Sequence, residues 1–422
     1  MNFKRNVDNL KKNFQELWKN RIFQICILVH TFYYIISQIL TLTFFRSETD
    51  FSVYYAAGKY FLYNITDLYT TGYMVPFRYF PISAALFVPF YLMGFELGFI
   101  VFNLINFSLN ILICIFIYKI VIFIRRDDIK SIRKDLIAFI CIFLLGLPNL
   151  FNYFLGQINL YPTLLILISL YLFFKYQEIT WNLLASFILG LSIIIKPTTF
   201  LLIPFLLLIR FDLENKKIKF DPLKSVVRII GVLIPLLISS FLFILYPVLW
   251  HGFLDANFTG YNPIAESFSF SISQLITNFY LFYNIPYNQI IILLSVFIII
   301  GGIGYTIFIF RRFENNSILY GYVIGIIITL LVYFDSWDHH LLNLIPLLII
   351  IIFDPTYNSH KTLLIKTGFI FLSFFSLLFT GIWCLIYPLF PYNFGTTIFL
   401  IFIFYAISKY CLTETTIKIM EG

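Results

Sequence analysis

The chain has 422 residues, 60% hydrophobic, 21% aromatic and only 12% charged, with a formal net charge of +8. That composition excludes a soluble globule, and its many apolar runs, several reaching the roughly 17–25 residues that cross a bilayer, predict an all-α polytopic membrane protein. The runs lack strand-like alternation, which excludes an outer-membrane barrel, and the positive charge sits in short connecting segments, where it orients membrane helices rather than binding nucleic acid.

A basic tail (residues 1–21) comes first. The apolar run Ile22 to Phe45 follows; it is too long for the core of a cleavable signal, no small-residue cleavage site follows it, and it reads as an uncleaved anchor. Further spans are expected near 97–124, 136–155, 158–176, 182–196, 198–210, 226–250, 288–310, 317–334, 341–353, 367–388 and 394–408, about twelve in all. Those ending at Leu155 and Lys196 are short or marked by proline, which suits broken helices lining a cavity.

The segment Phe80 to Gly94 decides the topology. Counted as a crossing, it would put Arg125, Arg126, Lys130, Arg133 and Lys134 outside; read as an in-plane or re-entrant helix opening at Phe80-Pro81, it keeps them inside. With the second reading, 25 of the 29 Lys and Arg face the cytosol, from Lys4 through to Lys409 and Lys418, and only Arg46, Lys59, Arg78 and Lys196 face out. The outer loops then carry eight acids: Glu48, Asp50, Asp67, Glu96, Asp255, Glu266, Asp335 and Asp338. No internal repeat or linker marks a second domain, and the largest inner loop, Phe211 to Lys224, is too short to fold alone. The expectation is one transmembrane domain over 1–422, with a first outer loop at 46–96 and another at 251–288, both termini cytosolic, in the cell membrane.

Polar residues recur at the outer mouths of the spans. Asp50 follows the first span, two residues after Glu48 and before Tyr54 and Tyr55. If it opens an in-plane helix, Tyr54 lies one turn further on; the carboxylate is then either a general base with a raised pKa or simply that helix's N-cap. Gly156-Gln157-Ile158-Asn159 places two amides between short spans, suited to sugar hydroxyls or equally to a turn. Lys196-Pro197 breaks the apolar stretch from Leu183 to Ile209, and a lysine there either snorkels to headgroups or pairs with a lipid-linked phosphate. Asp335-Ser336-Trp337-Asp338-His339-His340 sets adjacent imidazoles at a span's mouth, able to hydrogen-bond a phosphate, where the bland alternative is a polar interfacial belt anchored by Trp337. His30 and His251 are isolated and read as structural. The five cysteines are scattered, with no metal-ligand spacing and no disulfide pairing, and neither metal nor cofactor is expected.

Nothing resembles a P-loop, a dinucleotide fingerprint, a serine elbow or a zinc motif. The block Asp50-Phe-Ser-Val-Tyr54-Tyr55-Ala-Ala-Gly-Lys-Tyr-Phe-Leu-Tyr63, then Asp67-Leu-Tyr69, Arg78-Tyr-Phe-Pro81, Gly156-Gln157-Ile-Asn159, Lys196-Pro197 and Ser336-Trp337-Asp338-His339-His340 before Pro346, resembles the polyprenyl-phosphate-mannose-dependent α-mannosyltransferases of the GT-C superfamily. The resemblance implies a GT-C-type bundle with in-plane helices in its first outer loop and an extracytoplasmic cavity. It implies a polyprenyl-phosphate sugar donor and a lipid or glycan acceptor, handled by a monomer without a metal. It makes Asp50 the general base and His339 or His340 a contact of the donor phosphate, with Lys196 and Arg78 beside it. Glu48, Tyr54, Tyr55, Gln157, Asn159, Trp337 and Asp335 are left for the sugar and acceptor. The departure lies between Trp250 and Asn288, where Ser271-Ile-Ser273-Gln274 only approximates the expected Asn-Gln-Ser pattern.

Two other classes fit a polytopic chain. A lipid-linked sugar transporter or flippase would have matching broken helices in pseudo-symmetric halves, and no such repeat is seen. A polysaccharide polymerase or ligase would want outer-loop arginines, of which there are Arg46 and Arg78.

Overall fold

The computed structural model describes residues 3–69, 76–125, 129–213, 215–259, 268–313, 316–354, 359–386, 389–390 and 392–413. Arg126, Glu266 and Lys418, counted above, lie outside the described residues. The protein is an all-α polytopic membrane protein. Seven described helices are long and apolar enough to cross a bilayer: Arg21–Phe44, Phe95–Arg125, Ser131–Leu155, Pro222–Leu245, Gln289–Ile309, Leu363–Ile386 and Gly395–Leu412. Five shorter apolar helices (Leu160–Lys175, Ile179–Ile195, Pro197–Leu206, Ser317–Val332 and Asp338–Ile352) stand where the remaining spans were expected.

The segment at Phe80 to Gly94 forms Pro81–Leu92, with proline in its first turn. At about 1.5 Å per residue it is far short of the ~30 Å hydrocarbon layer. It packs on the helix Asp50–Tyr63, close enough that a Cβ on Gly58 would lie 2.6 Å from the Phe87 carbonyl oxygen. Gly58 is what lets the two backbones touch.

The bundle has two chemically distinct ends. The 31-residue helix Phe95–Arg125 runs between them. About three turns in, Asn106 donates to the Gln157 carbonyl (3.0 Å); at its finish, Arg125 donates to the Phe353 carbonyl (2.6 Å). The ~19 residues between these contacts span about 28 Å, nearly the thickness of the hydrocarbon layer. The Arg125 end also holds the Arg133–Glu16 ion pair, and Arg311 donates to the Ile209 carbonyl at 2.9 Å. Between the ends, Ser317–Val332 is buried from Ile318 to Val332, as expected of a helix that is apolar on every side.

Three features differ from the sequence reading. The basic tail is largely helical over Phe3–Trp18. The basic loop after Leu208 is a hairpin, Ile209–Asp212 paired antiparallel with Lys217–Phe220, with Lys216 in the left-handed region at its turn. The loop from Trp250 contains the helix Ile272–Phe282, N-capped by Ser271, whose hydroxyl accepts from the Gln274 amide.

Candidate active site

Asp50 does not cap its helix. Thr49 holds the N-cap position and Asp50 is the first helical residue, so its carboxylate is free to turn inward and accepts a hydrogen bond from Gln157 Nε2. The Gln157 Oε1 accepts from the Tyr54 hydroxyl (2.9 Å), which pairs with the Tyr79 hydroxyl at 2.8 Å. Because its oxygen is occupied by Tyr54, the amide must present its N–H groups to Asp50.

The loop carrying Gln157 is held from below. Gly156 ends the preceding helix in the left-handed conformation (φ 64°), and Gln157 N donates to the Asn152 carbonyl at 2.9 Å. Asn103 donates to the Tyr153 carbonyl at 3.0 Å, and the Tyr153 hydroxyl meets His30 Nε2 at 2.7 Å. His30 in turn reaches the Leu144 carbonyl through Nδ1 at 2.8 Å, which makes it part of the scaffold. A Cβ at Gly156 would fall 2.7 Å from the Phe51 Cβ and 2.8 Å from the Phe99 ring. Gly156→Ala is therefore expected to cost about 2 kcal/mol or more through clash and backbone strain. Thermal unfolding in detergent checks this, and activity should fall with stability because Gln157 loses its place.

The cationic side faces this amide–carboxylate pair. Lys196, 4% exposed, sits in extended backbone between Ile179–Ile195 and Pro197–Leu206 and donates to Asn159 Oδ1. Arg78 forms an ion pair with Asp335, whose other oxygen accepts from Trp337 Nε1 at 2.5 Å. His339 and His340 occupy the tight turn Asp338–Asn343 with ring centroids 4.3 Å apart. His340 Nδ1 accepts from the Trp337 backbone N–H at 3.2 Å, whereas the buried His339 Nδ1 has no hydrogen-bond partner among the described residues. A cavity of about 10 Å³, room for one water, adjoins His340, Ser336, Tyr333 and Thr199.

Asp50 keeps part of its surface accessible, yet its surroundings push its pKa up to about 6. Burial is the main cause, opposed by the Gln157 hydrogen bond; nearby Asp335 raises it further, and Lys196 and Arg78 draw it down. These mutual fields place Asp50, Lys196, Arg78 and Asp335 in one electrostatic neighbourhood, although they are far apart in sequence. The arrangement can accept a proton at Asp50 and neutralise an anion opposite it.

Two residues expected at the site stand elsewhere. Glu48 is exposed in the turn before the helix, and Tyr55 packs against Tyr91 and Phe95, with ring centroids 5.1 and 5.4 Å away. Tyr79 and Tyr333 belong to the cluster and were not singled out from the sequence; Tyr333 lies 3.4 Å from Arg78 Nη1. Their one signal is position, beside Arg78 and just ahead of Asp335, within a chain holding 29 tyrosines. Among the described residues no group of three or more His, Cys, Asp or Glu side chains gathers as a metal site.

A family model described as Glycosyltransferase family 87 matches residues 77–333. The match takes in Arg78, Tyr79, Gln157, Asn159, Lys196 and Tyr333, and leaves out Asp50 on one side and Trp337 to His340 on the other. No curated protein and no solved structure matches the chain.

Proposed function

The chain belongs to glycosyltransferase family 87, and from that premise we propose that it moves a hexose, mannose by resemblance, from a polyprenyl-phosphate donor to a hydroxyl of a lipid or glycan acceptor. The reaction inverts the anomeric centre and leaves an α linkage. The observation that carries this reading is the opposition of Asp50, clamped by Gln157 and raised towards neutrality, to the buried cation Lys196 and to Arg78.

In the transfer step, Asp50 takes the proton of the acceptor hydroxyl as that oxygen bonds to the anomeric carbon. The bond from this carbon to the donor phosphate oxygen breaks, and its electron pair stays with the phosphate. Polyprenyl phosphate departs without needing a proton, its new charge met by Lys196, Arg78 and one of the two imidazoles. Asp50 then releases its proton to water. Trp337, Asn159, Tyr54 and Asp335 are left to position the sugar and acceptor.

The test is a pH series. A base must be ionised, and the folded-state pKa of Asp50 is raised to about 6. kcat/KM for the acceptor is therefore expected to fall about tenfold per pH unit below about 6. A profile flat down to pH 5 would remove Asp50 from the base role.

The reading also sets the site at the extracytoplasmic face, because the basic segments gather at the other end of the bundle. A cysteine replacing the exposed Glu48 should react with an impermeant maleimide in intact cells. One replacing the exposed Lys217 in the hairpin should react only after permeabilisation. The opposite pattern would turn the bundle over.

A further inference from the structure

We propose that Asp338 is a positioning residue whose carboxylate ties the turn bearing His339 and His340 to the last two membrane helices, so that those helices set the imidazoles' place in the site. The inference rests on the reading of these imidazoles as contacts of the donor phosphate.

Asp338 is 2% exposed, and no ion-pair partner reaches it among the described residues, in contrast to Asp335 with its Arg78. An ionisable group buried without a counter-charge is costly and needs compensation by hydrogen bonds. Here the donor is a hydroxyl. Ser376 Oγ donates to Asp338 Oδ1, and the Thr380 hydroxyl, one turn further along Leu363–Ile386, lies near enough to act on the same carboxylate. Ser376 is also paired with the Thr396 hydroxyl of Gly395–Leu412 at 2.7 Å.

The attachment continues around the turn. Asn393 donates to Thr380 Oγ1 at 3.3 Å and to the Phe268 carbonyl at 2.8 Å, and Thr397 donates to the Phe270 carbonyl at 2.5 Å. Phe270 N donates in turn to the Ser336 carbonyl (3.1 Å), and Ser336 N to Ser269 Oγ (3.1 Å). The His-His turn is thus gripped from both sides by segments outside it. Among the described residues Asp338 is its one charged tie to the C-terminal helices, and both the turn and those helices lie beyond the matched family segment. A leucine at 338 would fill the space and abolish the tie; an asparagine keeps an acceptor oxygen for Ser376.

The experiment follows hydrogen–deuterium exchange of residues 336–343 in the purified full-length protein, alongside kcat and KM with a polyprenyl-phosphate hexose. Asp338→Asn is expected to stay within threefold of the wild type in both. Asp338→Leu should exchange at least tenfold faster over 336–343 and lose at least tenfold in kcat/KM for the donor, with the acceptor KM unchanged. Ser376→Ala combined with Thr380→Val, which keeps Asp338, should reproduce both losses and carries the test should the leucine variant not fold. Exchange within twofold of the wild type in the leucine variant, or an asparagine variant no better than leucine, would overturn the proposal. Faster exchange with unaltered donor use would leave the tie standing and instead overturn the assignment of the imidazoles to the donor phosphate.

Discussion

Asp50→Asn is expected to lower the transfer rate by about 10²–10⁴-fold, the range a positioned base contributes, while the protein still inserts and folds. The carboxamide keeps an oxygen to accept from Gln157 Nε2, so the Tyr79–Tyr54–Gln157 chain survives. Stability should not fall. Burial raises the carboxyl pKa of Asp50 above its unfolded value, so its favourable state is the protonated one, present at low pH and lost as pH rises through about 6. At neutral pH the folded protein bears the cost of an ionised, partly desolvated carboxylate, and asparagine removes that cost. Thermal unfolding of the variant should be unchanged or slightly higher at pH 7. Its advantage should vanish at pH 4. Single-turnover transfer with saturating donor measures the rate loss directly, and a variant within threefold of the wild type would place the base elsewhere.

Lys196→Met should be nearly as damaging, for the opposite electrostatic reason. The ammonium group is buried, its side-chain contact is to an uncharged amide oxygen of Asn159, and Asp50 and Asp335 are close enough for their charges to act on it. A cation held this way is preorganised for negative charge that develops on a leaving phosphate, and removing one such donor typically costs about 10²–10³ in kcat. Methionine keeps the length and apolar stem, so the loss reads the charge rather than the packing. Lys196→Arg should not restore activity, because a planar guanidinium needs more room than the point contact to Asn159 provides. The companion measurement is inhibition by polyprenyl phosphate, the product. Its affinity should weaken at least tenfold in Lys196→Met, and unchanged product affinity would move the phosphate away from this lysine.

Much of this architecture is legible in the sequence. Apolar runs long enough to span a bilayer have few alternatives to helix, so element positions followed closely from hydropathy. The breaks were legible too, because Pro197 forbids the continuation of the helix through Lys196, and Gly156 permits a left-handed end that other residues resist. Hydrogen-bond partners were not. Asp50 and Gln157 are 107 positions apart, and nothing local chooses Gln157 over the other buried amides. Glu48 and Asp50 lie two residues apart, but the helix begins between them, leaving one in an exposed turn and the other facing inward. Tyr54 and Tyr55 separate for a related reason: a step of about 100° around the helix sends Tyr54 to Gln157 and Tyr55 to Tyr91. The hairpin at Ile209–Phe220 escaped notice because its strands of four residues are too short to produce an alternating pattern.

The donor is the claim on which the account turns, since lysine, arginine and imidazole have a shared purpose only if a lipid phosphate leaves between them. The most direct measurement incubates the purified protein in detergent with a radiolabelled polyprenyl-phosphate hexose or the corresponding nucleotide sugar and a membrane lipid extract as acceptor. The account predicts label transfer from the lipid-phosphate donor alone, an α-anomeric product by NMR, and no transfer by Asp50→Asn. Transfer from the nucleotide sugar without a lipid-phosphate intermediate would contradict it.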